Sequence, residues 1–203
     1  MTRQEFITYP AVSASRIKKY YTGSIDYARV ALRKGASFHE QLLERSIDEM
    51  DIEASNVHKC IIEHPISSMI FNGALKEYPE AKNIEVYSGL VVTGKACYDV
   101  YNENFKIIAD VKTTSAKSLE KFQYDMINHC NHIQAVWYCM VSGIDPKNYF
   151  YIGVPPNAKK NGSTADDIYV CRHSFQEIEN AKELIKNYFR HQRNEIEKFV
   201  VSA

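Results

Sequence analysis

The chain has 203 residues, 45% hydrophobic and 25% charged, which excludes a disordered, collagenous or coiled-coil protein. A chain of that length is expected to form one domain over residues 1–203 and to bury roughly 70% of its unfolded surface. Its 25 basic and 25 acidic residues cancel, so a nucleic-acid role by bulk charge is disfavoured; such a role needs a local groove, metal ions or an oligomer.

The opening residues, MTRQEFITYPAVSAS, have no apolar core before a cleavage site, so no signal peptide is expected. Ser13 or Ser15 is expected to cap a helix through Arg16–Tyr20, stopped by Thr22-Gly23-Ser24. A second helix is expected from Ile25 to about Met50, with a break near Gly35. Leu32, Phe38, Leu42, Leu43 and Ile47 would form its apolar face. Further helices are expected over 54–62 and 67–78.

The period then changes. Residues 85–92, 95–101 and 105–112 read as three strands of an antiparallel meander, with Asn102-Glu103-Asn104 as a turn. Helices over 118–126 and 133–141 follow, the second stopped at Gly143. Strands over 149–154 and 168–171 flank the loop 157–167. An amphipathic helix over 175–200 closes the chain, presenting Ile178, Leu184, Ile185, Tyr188, Phe189, Ile196 and Phe199. The order predicts an α/β fold with a central mixed sheet covered by helices. The apolar stretch 133–144 is too short to cross a bilayer. Five cysteines without a close pair (Cys60, Cys97, Cys130, Cys139, Cys171) suit a reduced cytoplasm, as small buried hydrophobes.

The chemistry concentrates around GKACYD (94–99) and IIADVKTT (107–114). Asp110 ends an apolar strand, where a charge is costly unless paired or bound to metal. Alternation puts Asp110 and Lys112 on one face and Val111 on the other. Asp99 on the neighbouring strand can reach the same point. Two converging carboxylates repel, and a divalent cation relieves them. Spacing alone also fits a surface hairpin ending in an Asp–Lys salt bridge. His39, in GASFHEQLLE, reads equally as a packed histidine or as the edge of a metal site. Gln134 and Tyr138, four apart in QAVWY, share a helix face that either packs or holds substrate and carboxylate.

Taken in order, GASFHEQLLE, the acidic strand at Glu85, GKACYD, IIADVKTT and QAVWY resemble the PD-(D/E)XK nuclease superfamily, particularly its RecE-like and lambda-exonuclease-like phage branch. The resemblance implies a restriction-endonuclease-like core. It implies Asp99 and Asp110 as metal-binding acids, with His39 and the Val111 carbonyl beside the metal. Asp110 and Lys112 match the catalytic (D/E)xK pair, Gln134 and Tyr138 the supporting QxxxY motif, Glu44 a recurring glutamate, and Glu85 loosely an acidic position before the hairpin. Asp110 stands where many members carry glutamate. The cysteine set of the iron–sulfur relatives is missing, so no iron–sulfur cluster is expected. What the resemblance implies is Mg²⁺- or Mn²⁺-dependent hydrolysis of duplex DNA from free ends, in a ring-shaped homo-oligomer working with a single-strand annealing protein. A structure-specific endonuclease, a silent DNA-binding or phage assembly protein, and a metalloenzyme acting on small phosphoesters are the alternatives. Lys18-Lys19, Arg29-Lys34, Lys117-Lys121 and Lys159-Lys160 are candidate phosphate contacts.

Overall fold

The computed structural model describes residues 1–23 and 29–201, with side chains left undescribed over 29–36. The start of the second predicted helix, the core position Leu32 and the Arg29-Lys34 pair lie outside the described side chains.

A short helix α1 (Arg3–Thr8) and a two-residue strand β1 (Val12–Ser13) come before α2 (Ala14–Thr22). Ser13 occupies the capping position of α2 without a side-chain bond, and Gly23 ends the helix at φ 67°. Helix α3 (Arg29–Glu44) runs unbroken through Gly35. It stops well short of Met50, and Ile47 is exposed in a separate 3₁₀ turn, so that core assignment is corrected. Asp51 caps α4 (Ile52–Glu63) by accepting from the Ala54 N–H. Helix α5 spans Pro65–Phe71 only.

The predicted helix over 67–78 is overturned beyond Phe71, because a 13-residue strand, β2 (Leu75–Tyr87), begins there. It forms a hairpin with β3 (Leu90–Asn102), turned at Ser88-Gly89 with Gly89 at φ 79°. Gly94 lies inside β3. A Cβ there would come 3.0 Å from Ile84 and Trp137, so its absence is what lets the covering helix approach. The turn Glu103–Lys106 leads to β4 (Ile107–Thr113). Helices α6 (Leu119–Asn128) and α7 (Asn131–Ser142) follow, then strands β5 (Tyr149–Val154) and β6 (Tyr169–Cys171). The last predicted helix is divided at Gln192 into α8 (Phe175–His191) and α9 (Arg193–Ile196).

The protein is α/β, with a mixed six-stranded sheet flanked by helices. β2–β3, β3–β4 and β5–β6 are antiparallel, while β1–β3 and β4–β5 are parallel. Two apolar cores sandwich the sheet. One contains Ile17 of α2, Phe122 of α6, Trp137 of α7 and Phe189 of α8; the other contains Phe38 and Leu42 of α3, Val57 of α4 and Ile70 of α5. All five cysteines are free; Cys97 and Cys130 are only half-buried, and the other three are buried. Among the described residues, no helix is long and apolar enough to cross a membrane.

One feature of the sheet positions the site. β2 occupies one edge of β3 along nearly its whole length, so β1 and β4 must share the other. β1 pairs at Gly94 and Lys95, and β4 pairs only at Val100–Asn102. Residues 96–99 of that edge face a fork between two neighbouring strands, and Asp99 is the last residue before pairing resumes.

Candidate active site

The two aspartates meet at this fork. Asp99 does not continue the β3–β4 ladder; its Oδ2 accepts the backbone N–H of Val111 at 2.8 Å instead. The side chain thus replaces the next rung and fixes β4 beside itself. Asp110 is 2% exposed. Its Oδ1 accepts from Gln134 Nε2 at 2.7 Å, and its Oδ2 lies 2.5 Å from Lys112 Nζ. The predicted alternation is seen: Asp110 and Lys112 turn to the α7 side, and Val111 is buried in the α3–α5 core.

His39 reaches the fork from the opposite layer. Its Nε2 is 2.6 Å from the Val111 carbonyl and its Nδ1 is 3.7 Å from Asp99 Oδ2. Gln134 and Tyr138 share a face of α7, as their spacing requires. Burial, then the charges of Asp110 and Asp99, hold the Tyr138 phenol well above its usual value. Burial and the charge of Asp110 also raise Asp99 above the ordinary carboxylate range. The structure brings together His39, Asp99, Asp110, Val111, Lys112, Gln134 and Tyr138.

Two acidic residues are not part of the cluster. Glu85 sits at the hairpin end, where its carboxylate accepts the Gly89 N–H. Its partner Val91 is eight residues from Asp99 along β3, about 26 Å at strand rise. Glu44 is paired with Arg3 at 2.5 Å. The acidic neighbour of the site is Glu77. It stands opposite Asp99, between the pairs Lys76–Val100 and Tyr78–Tyr98, and has φ 47°. A non-glycine residue in the left-handed region inside a long strand is unfavourable by roughly 1–3 kcal/mol. One donor atom from each of His39, Glu77 and Asp99 lies within 4.8 Å of the others. Arg3 Nη2 is 3.8 Å from Glu77, so α1 supplies it with a counter-charge.

The donors are two or three carboxylates, an imidazole and a backbone carbonyl, a set suited to a hard divalent cation. Asp110 Oδ2 is buried against the Lys112 ammonium, and a carboxylate oxygen so placed keeps a second lone pair that such an ion can use. Of the candidate phosphate contacts, Lys121 pairs with Asp125, Lys159 pairs with Glu53 and lies over the Phe38 ring, and Lys160 donates to Asn157. Lys19 and Lys117 are exposed.

No protein-family model matches the chain, and no curated protein matches it. Among solved structures it is similar to SSO0001, with 14% identity and a TM-score of 0.38 over 95% of this chain and 88% of that one. It is also similar to a phage related exonuclease from Haemophilus somnus 129PT, with 14% identity and a TM-score of 0.37 over 95% and 99% of the two chains. Both likenesses are distant, and the functional reading rests on the site's own residues.

Proposed function

We propose that this protein is a metal-dependent nuclease that hydrolyses DNA phosphodiester bonds at the β3–β4 fork. The observation that carries this reading is the convergence of Asp99, Asp110, Lys112, His39 and the Val111 carbonyl from separate strands and layers onto one half-buried point. A salt bridge between Asp110 and Lys112 alone would require neither the raised Asp99 nor a histidine delivered from α3.

In this reading Asp99 and Asp110 hold one or two Mg²⁺ or Mn²⁺ ions, with His39, the Val111 carbonyl and Glu77 at the edge. An ion held there would lower the pKa of a bound water and offset charge on the phosphoryl group. Lys112 keeps its ammonium beside Asp110, where it orients the attacking water and stabilises charge growing on a non-bridging phosphate oxygen. Gln134 fixes the Asp110 carboxylate through Oδ1, leaving Oδ2 directed into the site. The Tyr138 phenol, raised by burial and by the two carboxylates, stays protonated. No covalent enzyme intermediate is part of the scheme.

Action on free duplex ends, by a cytoplasmic ring-shaped oligomer serving recombination beside an annealing protein, follows from the resemblance of the motif series to the RecE-like branch. A closed ring would gather the local charge of several neutral chains around one channel. The test is incubation of the protein with linear duplex and covalently closed circular DNA in Mg²⁺, Mn²⁺ or EDTA. Metal-dependent loss of the linear DNA with the circle spared is the expected result. Cleavage of both substrates would make it an endonuclease on the same site, and cleavage of neither would overturn the reading.

A further inference from the structure

Lys18 differs from the other lysines read as phosphate contacts. It is half-buried on α2, and its ammonium donates to Asn131 Oδ1 at 2.6 Å. Among the described residues no carboxylate forms an ion pair with it within 4.0 Å. Its partner is itself fixed: Asn131 is 4% exposed, and its backbone carbonyl accepts the Tyr151 hydroxyl at 2.7 Å. Tyr151 is the residue paired with Asp110 across β4 and β5.

The placement on α7 connects Lys18 to the site. Asn131, Gln134 and Tyr138 are three and then four residues apart, so they form one stripe along the helix. The first holds Lys18, the second holds Asp110, and the ring of the third packs against Tyr98 and Tyr149. The charges of Lys112 and Asp110 both act on Lys18. Burial, and next the repulsion of Lys112, lower its ammonium to about 8. Asp110 already serves Lys112 and Gln134. Among the described residues Lys18 is held by a neutral amide and Lys112 by Asp110, and an anion entering between the two ammonium groups would offset both charges.

We propose that Lys18, held in place by Asn131, contacts a non-bridging phosphate oxygen of the DNA strand in the cleft, as a second cationic group beside Lys112. The inference rests on the nuclease reading and adds a substrate-contacting residue to it. A protonated ammonium does not ligate a metal ion, so loss of Lys18 should weaken DNA binding without weakening ion binding.

The experiment compares wild type with Lys18→Gln, Lys18→Arg and Lys18→Ala. Affinity for a labelled duplex is measured by anisotropy in Ca²⁺ over a range of salt, Mn²⁺ binding by calorimetry, and folding by thermal melts. Lys18→Gln keeps a donor for Asn131 and removes the charge. It should bind duplex about tenfold more weakly, with a salt slope smaller by about 1. Its Mn²⁺ affinity should not fall, and Lys18→Arg should restore most of the DNA affinity. If folded Lys18→Gln binds duplex with wild-type affinity and slope, the lysine is a packing residue and the inference is overturned. A wild type that binds and cleaves while Lys18→Gln matches it overturns this inference alone. A wild type that neither binds nor cleaves duplex overturns the nuclease reading with it.

Discussion

Asp99 does two separable things, and a pair of substitutions divides them. Its carboxylate accepts the Val111 N–H at 2.8 Å, holding β4 where the ladder ends. It also brings a second negative charge against Asp110, which with burial raises its own pKa. Asp99→Asn keeps an acceptor oxygen and removes the charge; Asp99→Ala removes both. Leaving a buried N–H without an acceptor costs about 1–3 kcal/mol. Loss of the charge is common to the two variants and cancels in their comparison. With roughly 2–4 °C per kcal/mol for a chain of this size, a difference of about 2 kcal/mol puts Asp99→Ala about 4–8 °C below Asp99→Asn. Relief of the carboxylate repulsion should place Asp99→Asn at or above wild type in EDTA at pH 8. Differential scanning calorimetry in EDTA and then in Mn²⁺ measures both effects, and wild type alone should gain stability from the ion. Coincident melting of the two variants, or a Mn²⁺ shift retained by Asp99→Asn, would refute the reasoning.

Three further outcomes follow from the same geometry. Gly153 pairs with Lys112 across β4–β5, and an added Cβ would lie 2.8 Å from Phe122 Cζ. Gly153→Ala should therefore cost about 1–3 kcal/mol in denaturant melts, and Phe122→Leu should recover part of the loss. Burial, then the neighbouring His173, lowers His132 to about 4, and its Nδ1 has no partner. The unfolded chain then binds the extra proton first, so stability is complete above pH 6.5 and declines as pH falls from there towards 4. Thermal melts should show a smaller decline in His132→Gln; an identical pH profile would contradict the assignment. Glu77→Gln should weaken Mn²⁺ binding by about tenfold or more in calorimetry, whereas unchanged affinity would remove Glu77 from the ligand set.

The local half of the site was legible because it depends on short-range periodicity. Alternation in Ile107–Thr113 puts Asp110 beside Lys112, and a helix puts Gln134 on the same face as Tyr138; both hold in the structure. What depends on non-local pairing was not legible. The run from Leu75 to Glu80, with Pro79 and several charges, gives no strand alternation, so residues 75–78 read as the end of a helix, only the far end of β2 reads as strand, and Glu77 has no signal. Its place opposite Asp99 is set by the register of the full hairpin, which no local pattern contains. Glu85 then took the acidic role that register gives to Glu77. β1 is two residues long and owes its existence to β3 alone, yet the fork it makes with β4 opens the site. Lys18 and Lys19 are adjacent in sequence, and only the contact with Asn131 separates them.

The central claim is that the Asp99–Asp110–Lys112 fork hydrolyses DNA. Wild type and Lys112→Ala, both folded by circular dichroism, would be incubated with end-labelled linear duplex in Mn²⁺, and released nucleotide measured over time. The account predicts rapid release by wild type, none in EDTA, and a rate at least about a hundredfold lower for Lys112→Ala. Release by Lys112→Ala at the wild-type rate would contradict it.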